Sequence, residues 1–404
     1  MMVRVINMTD RLYYNDSYLT EFDATVVEVR QHAGKTIVAL DRSAFYPTSG
    51  GQPFDTGTLN DAHVTDVFVE KDGVVWHEID GELQVGDAVY GKIDWARRFE
   101  HMQQHAADHM IAGAIWALYG GVTIGLHLGE AVSTIDVEFA DGRTHLTDEM
   151  IGKIEDTVNA QIQSDAAILC WFPEPDEIAT LPMRKKPTVK EHVRVVAMGD
   201  FEMVACGGTH PSTTGQIGLI KIVGAAPARG KLRVSFLAGM RAYQDYRANY
   251  NFAWNAANLL SSRPETLEKN IESLQARLRD AEKALSELRR EKLYARIPQL
   301  LADAENLPDA KLVCAKIEAD AQSMREFASK LIESEPVVAL LAAEADGKYN
   351  YVFACSAGLN YNMGKLLSEA AKPLGGKGGG RPDFAQGGGP LEAIYKAAEA
   401  VKNA

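Results

Sequence analysis

The sequence has few cysteines and no long apolar run. Its four cysteines, Cys170, Cys206, Cys314 and Cys355, lie far apart and form no C-x-x-C pair, which argues against a disulfide framework. No apolar run reaches the roughly 18 residues that a membrane-spanning helix needs, and the N-terminal residues lack the apolar segment of a signal peptide. We therefore expect a cytoplasmic protein without a membrane partner.

A positive net charge is also absent. The formal net charge of −13 disfavours a protein that coats nucleic acid, because an acidic surface repels phosphates except where Lys and Arg cluster. Two such clusters occur, and we treat both as candidate phosphate contacts, although solvated faces have the same composition. They are Arg184, Lys185 and Lys186 in one and Arg289, Arg290, Lys292 and Arg296 in the other.

The 404 residues are too many for one compact core, and the pattern along the chain changes three times. Alternating β-branched and polar residues predict a small β-barrel first, and helical spacing from Arg97 to Gly120 then opens an α+β region. The predicted fold is multi-domain α+β. Its parts are a β-barrel (1–95), an α+β domain (96–243), a coiled-coil or helical-hairpin arm (244–298) and a small C-terminal α/β domain (299–404).

The arm is predicted from a stripe of apolar residues. Leu267, Ile271, Leu274, Leu278, Ala281, Leu285 and Leu288 recur at spacings of three and four, with charged residues between them. The stripe has two interpretations. It is either an intramolecular arm that spaces the C-terminal domain or a seam for a homodimer. The homodimer that we expect as an alternative forms through this arm or through the C-terminal domain.

Histidines and one cysteine predict a metal site. His101 and His105 stand four apart on the predicted helix, so their rings emerge from one face, and C-G-G-T-H supplies Cys206 and His210 on a glycine turn. By spacing alone, His105 with His109 is an equally good pair. Mixed thiolate and imidazole ligands favour zinc, with iron or cobalt as substitutes. Four protein ligands are typical of a structural site, so the spacing does not establish catalysis.

The motifs F-Y-P-T-S-G-G-Q-P-F-D-T-G, H-x-x-x-H and C-G-G-T-H resemble the alanyl-tRNA editing family, which includes the AlaX proteins and the editing domain of alanyl-tRNA synthetase. The resemblance runs from about Asp41 to the C-terminus. It implies one Zn²⁺ per chain on His101, His105, Cys206 and His210, with His109 packing beside the site or supporting it. The C-terminal G-G-K-G-G-G-R-P-D-F-A-Q-G-G-G resembles the last domain of alanyl-tRNA synthetase and indicates the long AlaX form.

The resemblance also gives substrate residues. Thr48, Gln52 and His127 are the catalytic candidates, with Thr48 as the group that recognises a serine hydroxyl, because a site that hydrogen-bonds a hydroxyl rejects the analogue without it. The candidates for substrate or tRNA binding are Gly50, Gly51, Lys377, Arg381 and Gln386. Without the resemblance, T-S-G-G-Q is a hairpin turn, a lone histidine is packed or exposed, and the C-terminal glycine loop is a flexible linker.

The function implied is the hydrolysis of the wrong amino acid from alanine tRNA in trans, without aminoacylation. Ser-tRNA(Ala) is the expected substrate, with Gly-tRNA(Ala) as a second. Zinc can activate water, stabilise an oxyanion or orient the ester. Two alternatives remain: an RNA-binding or regulatory module with a structural zinc, and an editor of another mischarged tRNA such as Ser-tRNA(Thr).

Overall fold

The structure is a computed structural model, and it describes the chain except for residues 1–7, 188–191 and 346. The described residues form two compact units, with the division between Asn255 and Ala256. Both contain helices and strands, so the predicted multi-domain fold of mixed α and β structure is confirmed. The four predicted domains, which include the residues left undescribed, are a finer division and stay a prediction.

The first unit begins with a closed barrel, as predicted. Six strands close it in the order β2-β3-β7-β6-β5-β8, and β1 pairs in parallel with β4 beside it. Inward residues of β2, such as Phe22, Ala24 and Val26, alternate with exposed ones, which is why the sequence pattern revealed the barrel. The three-residue β5 is too short to show an alternation of buried and exposed residues, so the sequence pattern does not reveal it. The bounds are β1 (Asp10–Arg11), β2 (Glu21–His32), β3 (Lys35–Leu40), β4 (Arg42–Ser43), β5 (Gly57–Leu59), β6 (Ala62–Val69), β7 (Val75–Asp80) and β8 (Ala88–Ile93).

A buried histidine makes the barrel sensitive to acid. The His77 ring is fully buried, with Nε2 2.7 Å from Ser43 Oγ and Nδ1 3.2 Å from the carbonyl oxygen of Val38. Burial lowers the pKa of His77 from 6.5 to about 4. Between these values the unfolded chain binds a proton that the folded chain does not. Stability from this group is therefore complete above pH 6.5 and is lost as the pH falls towards 4.

We expect this proton to cost about 3 kcal/mol of unfolding free energy between pH 6.5 and pH 4, at about 1.4 kcal/mol per pH unit. Denaturant unfolding followed across this range checks it, with His77→Gln as the matched variant that cannot titrate. The stability difference between the wild type and His77→Gln should shrink as the pH falls. A difference that does not vary with pH would show that His77 is not the acid-sensitive group.

The rest of the first unit surrounds one long helix. Its strands form a four-stranded sheet in the order β14-β15-β10-β9 and a three-stranded sheet in the order β11-β12-β13. The helices are α1 (Trp95–Tyr119), α2 (Asp148–Gln163), α3 (Pro175–Ile178) and α4 (Met240–Leu259), of which the last four residues belong to the second unit. The strands are β9 (Val122–Leu128), β10 (Ser133–Glu138), β11 (Ile168–Trp171), β12 (Val195–Met198), β13 (Glu202–Ala205), β14 (Ile220–Ala228) and β15 (Lys231–Ala238).

Helix α1 is held at both ends by the local sequence. The Asp94 carboxylate accepts the Arg97 N–H at the start, and Gly120 ends the helix in the left-handed conformation, with φ of 70°. From His101 to Ile115 every side chain is buried, including the polar ones. Because α1 is buried on all sides over this stretch, its histidines are shielded from solvent.

The second unit is a six-stranded sheet with helices. The strand order is β16-β17-β18-β19-β21-β20, and β17 with β18 is its parallel pair. The helices are α5 (Leu267–Tyr294), α6 (Ile297–Ala302), α7 (Ala321–Ser334), α8 (Met363–Ala371) and α9 (Glu392–Lys402). The strands are β16 (Glu305–Asn306), β17 (Lys311–Lys316), β18 (Val337–Ala345), β19 (Lys348–Cys355), β20 (Lys377–Gly380) and β21 (Phe384–Gly389).

The glycine-rich C-terminal segment is an antiparallel hairpin of β20 and β21, so the prediction of a loop is wrong there. Composition misled because glycine is disfavoured in strands. Helix α8 explains the glycines: a Cβ on Gly378 would lie 2.7 Å from a side-chain carbon of Leu367 and one on Gly364 would lie 2.4 Å from the Gly380 carbonyl oxygen. Small residues let the helix pack directly on the backbone of the hairpin.

The predicted apolar stripe lies on α5, a single helix of 28 residues. Its side chains are largely exposed, with Leu278 58% and Leu288 62% accessible. No described helix combines the length and apolar character needed to cross a membrane.

Candidate metal centre

Four side chains converge at the middle of the first unit. Two come from successive turns of α1, His105 and His109, and two come from the loop after β13, Cys206 and His210. One nitrogen or sulfur atom from each lies within 4.8 Å of the others. The loop reaches the helix because Gly208 is narrow: a Cβ there would lie 2.2 Å from Cε1 of His105. We name these four residues the metal cluster.

The geometry of the cluster suits a small tetrahedral ion. Cys206 Sγ lies 3.4 Å from His105 Nε2 and 3.3 Å from His210 Nε2. Zinc at its usual bond lengths to sulfur and nitrogen would set this edge at about 3.5 Å. Both ring nitrogens of His109 and Nδ1 of His210 are buried and have no hydrogen-bond partner among the described residues. Buried polar atoms are nearly always paired, so unpaired nitrogens beside a thiol indicate a missing partner.

His101 is not part of the cluster, which corrects the predicted ligand set. The His210 ring centre lies 4.7 Å from that of His105 and 5.0 Å from that of His109, so the loop faces the second pair of histidines. His101 lies one turn earlier, with Nε2 4.0 Å from a carboxylate oxygen of Glu100. Spacing of four residues fits both pairs, and the position of the loop along the helix decides between them. His109, predicted to pack beside the site or support it, takes the place of His101 in the cluster.

Burial sets the protonation of the cluster. It lowers the pKa of His105 to about 3, and it lowers the pKa values of His109 and His210 as well. The same burial raises the pKa of the Cys206 thiol to about 12. The imidazoles are therefore neutral and free to bind a metal at neutral pH, whereas the thiol has to give up a proton to do so.

Gln52 contacts Nδ1 of His105, which is the ring nitrogen opposite the Nε2 that lies beside Cys206. Its Oε1 is 2.7 Å from His105 Nδ1 and its Nε2 donates to Thr209 Oγ1 at 2.8 Å. An amide oxygen in this place accepts the Nδ1 proton and leaves the lone pair of Nε2 directed at the cluster. Gln52 is fully buried. These contacts are those of a residue that positions His105, and the predicted catalytic role of Gln52 stays a prediction.

We expect Gln52→Ala to weaken zinc binding about 10- to 100-fold, because His105 would lose the partner that fixes its tautomer and ring orientation. Competition for zinc with a chelator of known affinity measures the change. Gln31→Ala, which removes an exposed amide of the barrel, is the matched control and should bind zinc as the wild type does. Equal zinc affinities for the two variants would show that Gln52 does not support zinc binding through His105.

The other predicted residues of the T-S-G-G-Q turn lie at the surface. Thr48 is exposed, and Gly50 and Gly51 have φ of 59° and 89°. The turn touches β9, because Leu128 N–H donates to Gly51 O at 3.1 Å and a Cβ on Gly51 would lie 2.5 Å from the carbonyl oxygen of Leu126. His127 on β9 is exposed as well. No contact brings Thr48 or His127 to the metal cluster among the described residues, and their catalytic roles stay predictions.

Arg194 supports the loop of Cys206, and no sequence motif marks it. It is 5% exposed, and its Nη1 donates to the carbonyl oxygens of Cys206 at 3.1 Å and Gly208 at 2.8 Å. A planar guanidinium with two carbonyls on one nitrogen fixes the shape of the loop that carries Cys206. Arg194 stands twelve residues before the cysteine, outside any motif.

The predicted C-terminal residues lie on or beside the glycine hairpin. Lys377 begins β20, and Arg381 follows its last residue and pairs with Asp383, Nε to Oδ1, at 3.3 Å. Gln386 on β21 accepts from Arg325 Nη1 at 3.2 Å. All three predicted side chains are exposed on the second unit, as a binding surface requires.

Comparison with known proteins covers nearly the whole chain. The alanyl-tRNA editing protein AlaX-L of Pyrococcus horikoshii is 31% identical over 390 residues, which are 94% of this chain and 94% of that protein. The chain belongs to the AlaX family of alanyl-tRNA editing proteins, in its long form. Alanine–tRNA ligases are also similar, with 30% identity to that of Pyrococcus abyssi over 100% of this chain and 33% to that of Haloquadratum walsbyi over 96%. The chain spans less than half of those ligases, 44% and 43%.

Family matches divide this AlaX chain into three parts. Residues 2–97 match the class II (A) tRNA synthetases, residues 193–235 match the threonyl and alanyl tRNA synthetase second additional domain, and residues 309–404 match the DHHA1 domain. The middle match contains Cys206 and His210. Half of the metal cluster therefore lies in this matched segment, whereas His105 and His109 lie between the first match and the second.

Proposed function

We propose that this protein hydrolyses the ester that joins serine to the 3′ end of alanine tRNA, and that it carries no aminoacylation activity. The observation that carries the proposal is the cluster of His105, His109, Cys206 and His210 in a chain whose full-length relative is an alanyl-tRNA editing protein. Zinc bound there would polarise the ester carbonyl or a water molecule. The alanine–tRNA ligases in which the chain matches less than half the length suggest the same tRNA.

The chain's own residues have three tasks in this proposal. Burial keeps the imidazoles of the metal cluster neutral, Gln52 orients His105, and Arg194 holds the loop of Cys206. Thr48, exposed on the turn that ends in Gln52, is our candidate for the serine hydroxyl, and His127 is our candidate for a polar contact to the substrate. A hydrogen bond between Thr48 and the serine hydroxyl would favour the binding of serine over alanine, which has no hydroxyl.

Deacylation of four purified substrates tests the proposal: Ser-, Gly- and Ala-tRNA(Ala), and Ser-tRNA(Thr). We expect zinc-loaded protein to release serine from Ser-tRNA(Ala) at least about 100-fold faster than from Ser-tRNA(Thr), and to spare Ala-tRNA(Ala) by a similar factor. Release of glycine from Gly-tRNA(Ala) would extend the substrate range. Serine release at the rate of buffer alone would leave a structural zinc in an RNA-binding module, and equal release from both serine substrates would indicate a broader editor.

The glycine hairpin is our candidate for a contact with the tRNA body. Lys377 and Arg381 supply charge there, and strands rich in glycine allow phosphates to approach the backbone. The double variant Lys377→Ala/Arg381→Ala should weaken tRNA binding. The slope of the logarithm of the binding constant against the logarithm of the salt concentration should become shallower by about one to two, as expected for the loss of two phosphate contacts. An unchanged salt slope would exclude the hairpin as a phosphate contact.

We further propose that α5 pairs with α5 of a second copy. Its leucines repeat at coiled-coil spacing and are exposed, and an exposed stripe of this length is rarely left uncovered. Light scattering after size exclusion should give a dimer for the wild type and a monomer for Leu278→Glu/Leu285→Glu. Asp280→Lys/Glu287→Lys, which changes two exposed acidic side chains on the face of α5 away from the stripe, should stay dimeric. A monomeric wild type would leave α5 as an intramolecular arm.

A further inference from the structure

A cavity of about 410 Å³ lies beside the loop that carries Cys206. Its size is within the range of pockets that bind small ligands or single nucleotides. Twelve described residues line it: one near the start of the chain, one directly after β11, six before β12, two at the end of β13 and two in the loop itself. The lining includes Tyr14, Phe172, Lys185, Lys186, Arg194 and Cys206.

One wall of the cavity is aromatic. The rings of Tyr14 and Phe172 lie edge to face, with centres 5.6 Å apart, and Phe172 is 45% exposed. A phenylalanine this exposed at a cavity wall offers a free face, and nucleic-acid bases stack on such faces with little dependence on base identity. The Arg194 guanidinium lies 5.6 Å from the centre of the Tyr14 ring and holds that side of the wall in place.

The charged side chains among the described residues that line the cavity are of one sign. Lys185, Lys186 and Arg194 line it, and none of the twelve described lining residues is acidic. This is unusual for a chain whose formal net charge is −13. Both lysines are exposed. The third member of the same sequence cluster, Arg184, faces inward instead, where its Nε pairs with Glu202 Oε1 at 2.9 Å. The two lysines are thus left to meet an anion from solvent.

Arg194 connects the cavity with the metal cluster. Its Nη1 is committed to the carbonyl oxygens of Cys206 and Gly208, while its Nε is buried and has no partner among the described residues. Cys206 and Gly207 themselves line the cavity. A ligand here would therefore border the loop that supplies the thiol of the cluster.

We infer that this cavity binds an unpaired nucleotide at the 3′ end of an RNA, with its base on Phe172 and its phosphate on Lys185 and Lys186. The inference rests on the proposed function for the identity of the RNA as a tRNA acceptor end. An aromatic face beside two lysines and an arginine fits a nucleotide because stacking and phosphate contacts together are how single-stranded nucleic acid is held. The place of the cavity next to Cys206 fits a terminal nucleotide, whose ribose carries the ester.

Binding of an RNA hairpin without an amino acid tests the inference apart from hydrolysis. The probe is the alanine acceptor stem with a single-stranded A-C-C-A end, compared with the same stem with a blunt end, by fluorescence anisotropy. We expect the stem with the overhang to bind more tightly than the blunt stem. Phe172→Ala should weaken binding of the overhang stem about ten-fold. Phe172→Trp should restore it. Lys185→Ala/Lys186→Ala should lower the salt slope by one to two charges, whereas the control Lys71→Ala/Lys153→Ala, two exposed lysines elsewhere on the unit, should not.

Deacylation kinetics separate this inference from the proposed function. Phe172→Ala should raise the KM for Ser-tRNA(Ala) about ten-fold with little change in kcat, since the contact is made before and during the reaction alike. If serine release is normal and neither KM nor overhang binding changes in the cavity variants, the inference fails and the proposed function stands. If overhang binding depends on Phe172 but no serine is released by the wild type, the proposed function fails and the cavity remains an RNA site.

Discussion

Replacing His109 with alanine is expected to lower zinc affinity by at least about 100-fold, because loss of a ligand should exceed the 10- to 100-fold effect of losing a supporting contact. Seryl-tRNA release should fall with it. His109 has both ring nitrogens buried without a partner among the described residues, and its ring stacks on His105 at 5.0 Å between centres. Metal content by mass spectrometry of the purified variant, together with chelator competition, measures the effect.

His101→Ala is the matched control for that variant. Both histidines lie four residues from His105 on α1 and both are buried, at 5% and 6% exposure. We expect His101→Ala to keep one zinc per chain and to bind it with wild-type affinity. Loss of zinc from the His101 variant with retention in the His109 variant would restore the ligand set that the sequence predicted and overturn the cluster described here.

A second large effect is expected at the base of α1, on stability. Arg98 and Asp55 are both fully buried, and Arg98 Nε lies 3.0 Å from both carboxylate oxygens. Asp55 also accepts the Tyr46 N–H at 2.6 Å. The pair joins the barrel to the helix that carries His105. Asp55→Ala would leave a buried guanidinium without its counter-charge, and we expect it to cost about 3–5 kcal/mol of unfolding free energy.

Two variants make this prediction specific. Asp136→Ala breaks a surface pair with Arg233, Oδ1 to Nε 2.7 Å, and should cost at most about 1 kcal/mol. Asp55→Leu/Arg98→Met, which removes both charges, should recover a large part of the loss. Denaturant unfolding gives all three values. A cost for Asp55→Ala equal to that for Asp136→Ala would mean that the buried pair is not what anchors α1.

The sequence was sufficient for elements with a strong local pattern. Alternation in β2 predicted the barrel, and helical spacing predicted α1, which Asp94 caps at its start and Gly120 ends. These elements are decided by neighbours along the chain, so periodicity and capping residues reveal them. The glycine hairpin was missed because its strands exist through packing on α8, which no local pattern records.

The metal cluster shows the same limit at the level of single residues. Spacing identified Cys206 and His210 as one half of the site and two equivalent pairs of histidines as the other. The resemblance was then applied one helical turn too early, to His101. The choice depends on where the Cys206 loop meets α1, which is a tertiary contact. Likewise, the role of Gln52 behind His105 could not be separated from a catalytic role, since proximity to a metal site does not say on which side of a ligand a residue lies.

The most direct test of the central claim is single-turnover release of serine from Ser-tRNA(Ala) as zinc is titrated into metal-free protein. We predict that the rate rises in proportion to bound zinc, reaches its plateau at one zinc per chain, and is abolished in Cys206→Ala. The folded state of the metal-free protein is checked by circular dichroism. Full-rate serine release from folded, metal-free protein would contradict a zinc-dependent editing site on His105, His109, Cys206 and His210.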